Sequence, residues 1–167
     1  MKWITLYSQT GNEIYNLAVK LNRQPDLILT NNPTTPLSGS NFYKHAELEH
    51  ILANAVSDNI IITLHGYLRI LSPSLCDLPC IILNGHPAPI HLYPELKGKD
   101  MQEQLFLQKE KYKLIGTVIH KVIAELDSGD IIAYNSEPNN LQSVEESYIK
   151  LKQMSLDLWY NTLKEML

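Results

Sequence analysis

Two short aliphatic runs, residues 59–64 (NIIITL) and 80–83 (CIIL), do most to limit how this chain can fold. Neither alternates apolar with polar residues, so each is expected as a strand covered on both faces. Strands of that kind belong to the middle of a parallel sheet with a helix layer on either side. The segments before them fit. Lys2–Tyr7 reads as a first strand, and Asn12–Leu21 places Ile14, Leu17, Ala18 and Leu21 at helical spacing. Residues 26–30 form a second short apolar run. Residues 31–41, rich in Asn, Pro, Thr, Ser and Gly, read as a loop. Residues 42–55 read as a helix with Leu48, Ile51, Leu52 and Ala55 on one face. The β-α-β-α-β order predicts an α/β fold, Rossmann-like, with a mostly parallel sheet and helices on both faces.

The second half changes character. Pro87, Pro89 and Pro94 interrupt regular structure and predict an extended loop. Residues 101–109 read as a short helix, 114–122 and 129–134 as two strands joined through 124–128, and 145–167 as a long closing helix. No repeat, low-complexity tract or linker divides the chain, so one domain over residues 1–167 is expected. A chain of 167 residues can bury a substantial core.

Charge and cysteine content narrow the function classes. A formal net charge of −4 argues against a surface that coats nucleic acid. No apolar run approaches the ~20 residues of a membrane helix, and Met1-Lys2 opens no secretory leader. Cys76 and Cys80 are too few for a disulfide framework or a zinc site and read as reduced thiols. A cytoplasmic protein is expected, without membrane or nucleic-acid partners.

The densest chemical signal is Leu83-Asn84-Gly85-His86-Pro87, where a buried run ends in two polar side chains one residue apart. Ligands of open α/β sheets bind at the carboxyl ends of strands. An Asn amide can donate to an oxygen that gains charge in a transition state, and a His can exchange protons near neutral pH. The same residues also suit a plain turn. Glu125-Leu126-Asp127-Ser128-Gly129-Asp130 could supply a carboxylate to orient that histidine, or be a solvated hairpin turn. Residues 66–73 (GYLRILSP) could line a pocket for a flat ring through their backbone. Residues 8–12 (SQTGN) precede a helix start, where N–H groups attract anions, but the single Gly11 makes no nucleotide fingerprint. His45, His50, His65, His91 and His120 read as ordinary. A metal site from His86, His91 and Asp127 lacks any local geometry to fix it.

Taken in order, these blocks resemble the folate-dependent formyltransferase family, and within it the branch that formylates glycinamide ribonucleotide. Residues 66–75 (GYLRILSPSL) are similar to the family's folate loop, and LNGHP to its N-x-H-P motif. Residues 97–105 (KGKDMQEQL) resemble the segment that follows, and 116–132 (GTVIHKVIAELDSGDII) the G-x-x-V-H…D-x-G block. The resemblance implies a formyltransferase N-terminal-domain-like fold and an enzyme that takes 10-formyltetrahydrofolate as formyl donor, without a metal. It carries the catalytic roles onto Asn84, His86 and Asp127, with Asp130 as the nearby alternative carboxylate. It puts the folate against Leu68, Arg69, Ile70, Leu71, Leu83, Glu125 and Leu126. The acceptor would lie at Thr10, Gly11, Asn12, Gly85 and Pro87.

The chain departs from the family where the acceptor binds. The first loop of the glycinamide ribonucleotide branch is richer in glycine and cradles phosphate. A family glutamate that binds ribose hydroxyls falls near Ser155, with Lys152 and Gln153 close by, and a histidine found in many relatives falls on Gln102. Glycinamide ribonucleotide is the acceptor the resemblance implies best. A sugar amine or another nucleotide-linked amine, hydrolysis of the formyl folate, and a non-catalytic folate- or nucleotide-binding module are the alternatives. Oligomeric state is not legible.

Overall fold

In the computed structural model, residues 1–55, 57 and 59–167 are described. Seven strands form one mixed sheet in the order β3-β2-β1-β4-β5-β6-β7. They are β1 (Lys2–Tyr7), β2 (Leu27–Thr30), β3 (Asn41–Phe42), β4 (Ile60–Leu64), β5 (Ile81–His86), β6 (Leu114–Lys121) and β7 (Ile131–Pro138). The first five are parallel, and β6 and β7 add antiparallel to β5. The strand order reverses between β1 and β4, which opens a crevice above their carboxyl ends.

The aliphatic runs earn their central places. Every residue of β4 is buried, and Ile61 and Ile62 point to opposite faces into separate clusters. One face is covered by α2 (His45–Ala55) and α3 (Pro73–Cys76) through Leu48, Leu52 and Leu75. The other is covered by α1 (Asn12–Leu21) and α5 (Val144–Met166), where Leu17, Leu158, Trp159 and Leu163 pack on Trp3, Ile61 and Leu83. A third cluster joins α4 (Met101–Leu107) to α5 and β6 through Leu105, Leu151 and Val118. Ser143 caps α5 by accepting the Glu146 N–H at 3.0 Å, and Glu146 accepts the Gln142 N–H at 2.6 Å. Such reciprocal capping starts a helix sharply and contributes about 1 kcal/mol. No helix among the described residues is long and apolar enough to cross a membrane.

Three elements depart furthest from expectation. Strand β5 continues through His86 instead of ending at Leu83, because Asn84, Gly85 and His86 pair with His120, Ile119 and Val118 of the antiparallel β6. The α2 helix begins at His45, since Asn41–Phe42 pairs with Leu29 and Thr30 as an edge strand. Strand β7 starts at Ile131 and runs on to Pro138.

Candidate active site

Because β5 extends to its end, Asn84 and His86 are two residues apart on a strand and project from the same face. Gly85 between them projects the other way. A Cβ there would come within 2.6 Å of the Trp159 indole nitrogen, so this position has no room for a side chain. Trp159 presses into that notch from α5, directly behind the two polar residues.

The third group arrives on the turn between β6 and β7. Asp127 has a left-handed backbone, φ 47°. Two residues on, a Cβ on Gly129 would lie 1.9 Å from the Lys121 carbonyl oxygen, so only glycine allows the turn to fold back this tightly. The turn brings the Asp127 carboxylate, 7% exposed, over the end of β5. Its Oδ2 lies 3.4 Å from His86 Nδ1 and accepts the Gly98 N–H at 3.2 Å. Its Oδ1 lies 3.4 Å from His120 Nε2 and 3.5 Å from Asn84 Nδ2. Asn84 Nδ2 is also 3.2 Å from His120 Nε2. Asp130, the alternative carboxylate named above, is exposed.

Hydrogen-bond chemistry fixes the protons. His86 Nε2 is 2.8 Å from the Leu96 carbonyl and must donate to it. Its Nδ1 therefore faces the carboxylate, and a proton gained there completes an ion pair. His120 Nδ1 donates to the Lys121 carbonyl at 2.8 Å. In the neutral ring its Nε2 then accepts from the Asn84 amide, which sets the direction of that amide.

Burial has the largest effect on His86 and pushes its pKa down. Asp127 and the Leu96 carbonyl push it up, His120 and Lys97 push it down again, and the net position is below the ordinary imidazole value. Burial pushes the Asp127 carboxyl up. The His120 ring 3.4 Å from Oδ1, the charge of His86 and the Gly98 N–H together outweigh burial and hold Asp127 below the usual carboxylate range. The pair is thus an ionised carboxylate beside an imidazole that is neutral at rest. Such a set can stabilise a developing oxyanion and take up a proton as that charge appears.

The remaining predicted residues line the surroundings. Leu68, Ile70 and Leu126 are 58, 61 and 51% exposed, a large apolar display in two loops that border the crevice. Arg69 and Glu125 are exposed, while Leu71 and Leu83 are buried in the core beneath. The Leu68 N–H donates to Ser8 Oγ at 2.9 Å, which ties this loop to the one after β1. In that first loop Thr10 and Asn12 are exposed and Gly11 is buried at the start of α1. Thr10 Oγ1 accepts the Asn12 N–H at 3.3 Å. Pro87 is half-buried beside His86.

Two histidines that read as ordinary in the sequence are part of this architecture. His120 touches both Asn84 and Asp127, and its pairing register opposite Asn84 follows only once β6 is known to run antiparallel to β5. His65 stacks on Trp159 with ring centroids 4.7 Å apart and binds Glu13. His91 goes elsewhere, against Tyr134 at 4.3 Å.

The polar set stands at the end of β5, one strand away from the switch point between β1 and β4. The chain belongs to the formyl transferase family, whose model matches residues 13–154. Among characterised relatives, it is 31% identical over 133 residues to phosphoribosylglycinamide formyltransferase of Dictyostelium discoideum, a match covering 72% of this chain. The chain spans 63% of that relative's length. Its fold is that of phosphoribosylglycinamide formyltransferase from Campylobacter jejuni, at TM-score 0.84 and 23% identity over 99% of this chain and 97% of the other. A formyltetrahydrofolate deformylase from Pseudomonas syringae shares the fold at TM-score 0.78 and 19% identity, over 98% of this chain and 60% of the other.

Proposed function

We propose that this protein transfers the formyl group of 10-formyltetrahydrofolate to the amine of glycinamide ribonucleotide. The observation that carries this reading is the convergence of Asn84, His86 and Asp127 at the end of β5 in a member of the formyl transferase family. The amine attacks the formyl carbon, and the carbonyl oxygen becomes negative. An Asn84 N–H turns from His120 to that oxygen. The growing charge raises the proton affinity of His86, which is set against Asp127 to become imidazolium. The C–N bond to the folate then breaks, and the proton lost by the amine passes to the departing folate nitrogen. Leu68, Ile70 and Leu126 offer the folate ring an apolar face, with backbone groups from Leu68 to Leu71 at its edge. Thr10, Gly11 and Asn12 lie on the acceptor side.

The test uses donor carrying an isotopically labelled formyl group, with and without glycinamide ribonucleotide, and follows the label by mass spectrometry. Label is expected on the ribonucleotide amine. The rate should fall roughly 100- to 10,000-fold in His86→Ala and roughly 100- to 1,000-fold in Asn84→Ala. Label released as formate without the amine would make the protein a hydrolase. Wild-type rates in both variants would remove these residues from the chemistry.

A further inference from the structure

The loop that displays Leu68 and Ile70 has no regular structure of its own. It runs from the end of β4 to the start of α3, and among the described residues no backbone hydrogen bond joins two residues of 66–72. Its shape is therefore set by what holds it from outside. Side chains alternate in depth: Tyr67 and Leu71 are buried, while Leu68 and Ile70 face outward. On one side, Ser8 donates its N–H to the Gly66 carbonyl at 3.2 Å and accepts the Leu68 N–H. On the other, two side chains of α2 take hold, and the reaction above makes no use of either.

The first is His45. Its Nδ1 lies 2.8 Å from the Tyr67 hydroxyl. The second is Glu49, one helical turn on, whose Oε1 accepts the Ser72 N–H at 2.5 Å. The two are linked, because His45 Nε2 lies 3.8 Å from the same Glu49 oxygen. A carboxylate facing Nε2 favours the ring hydrogen there, which leaves the Nδ1 lone pair to accept from the Tyr67 O–H. Burial, and after it the charge of Glu49, push the Tyr67 hydroxyl up to about 12 against the opposing pull of Arg69, so it keeps its hydrogen for this bond.

The two contacts of α2 grip the loop near its start, at Tyr67, and at its end, at Ser72. Between them the N–H groups of Arg69, Ile70 and Leu71 make no backbone hydrogen bond among the described residues. A ring edge can be read by such groups only if their spacing is held before the ligand arrives. A phenylalanine at position 67 would fill the same space and need no partner. A buried hydroxyl does need one, and the partner here lies on a helix, which gives the loop a direction that apolar packing alone does not.

We propose that Tyr67 and Glu49 are positioning residues for the formyl donor: bonded to His45 and Ser72, they hold residues 66–72 against α2 in the shape that receives the folate ring. The inference rests on the formyl-transfer reading, and its test tells the two apart. Isothermal titration calorimetry would measure tetrahydrofolate binding to wild type, Tyr67→Phe, His45→Ala and the double variant, alongside steady-state rates. Tyr67→Phe removes one oxygen and keeps the buried ring. Loss of that hydrogen bond predicts tetrahydrofolate binding about 3- to 10-fold weaker. The donor KM should rise by the same factor, with the acceptor KM and kcat at saturating donor close to wild type. Adding Tyr67→Phe to His45→Ala should weaken binding little beyond His45→Ala alone, since both remove the same contact. Glu49→Ala should also weaken tetrahydrofolate, and Glu49→Gln, which keeps an oxygen for the Ser72 N–H, should restore most of the loss. Tyr67→Phe that binds as tightly as wild type, fully additive losses in the double variant, or a kcat that falls as far as the donor KM rises would overturn the proposal. A wild-type protein that fails to bind tetrahydrofolate would instead remove the formyl-transfer reading, and the role of the loop with it.

Discussion

His86 is held between opposing influences. Burial lowers its proton affinity, and Asp127, 3.4 Å away, raises it. Removing the carboxylate therefore has a definite sign. In Asp127→Asn, His86 should titrate still lower than in wild type, where it already lies below the ordinary ~6.5. Nitrogen chemical shifts of the ring followed through a pH titration would measure this. An unchanged or higher value in the variant would mean that Asp127 does not govern the charge on His86. The transfer rate should fall with it, because an imidazole that resists protonation stabilises an oxyanion less.

Among elements, the β6–β7 hairpin does most to build the site. It carries His120 on the strand and Asp127 on the turn, and Gly129 lets the turn close on the Lys121 carbonyl. Gly129→Ala should displace that turn, lower stability by about 1–3 kcal/mol through overpacking, and reduce transfer more than folate binding. Urea unfolding and single-turnover rates would show both effects; a variant with wild-type stability and rate would mean that the turn accepts a Cβ. The hairpin also shows where the sequence was readable. The runs NIIITL and CIIL announced a central parallel sheet because burial on both faces leaves no polar positions to mistake. The residues N-x-H and D-x-G stood out because a strand end and a tight turn restrict which residue types fit. His120 did not stand out, because a histidine in a strand gives no sign of which neighbour it faces until the pairing register is known. Glu13 and His65 were missed for a similar reason. They lie 52 positions apart, and only the β1–β4 crevice brings them together.

For the molecule as a whole, acid is the relevant stress. His86 and His91 both titrate below the ordinary imidazole value, so the native state binds fewer protons than the unfolded chain between their lowered values and ~6.5. Glu13 and Asp127 are also lowered, so they stabilise the fold above the unfolded carboxylate range and stop doing so as pH falls through their native values. Both effects have the same sign. The urea midpoint should fall gradually from pH 7 to 5 and more steeply below pH 4, and Glu13→Gln should flatten the lower part of that curve. A midpoint that rises toward pH 5 would contradict this. Exposed pairs such as Lys111–Glu95 contribute little to it.

The placement of the two tryptophans has an optical consequence. Trp3 and Trp159 are the chain's only indoles, both are fully shielded from solvent, and both belong to the cluster beneath α5. One hydrogen-bonds to Thr63 and the other stacks on His65, and Thr63 and His65 are themselves bonded, so both emitters adjoin the polar contacts of Glu13. The loops that carry Leu68, Ile70 and Leu126 contain no indole. The intrinsic fluorescence of this protein is therefore a one-sided gauge: it brightens or dims with events around Glu13 and stays dark to movements of the loop that carries Leu68 and Ile70.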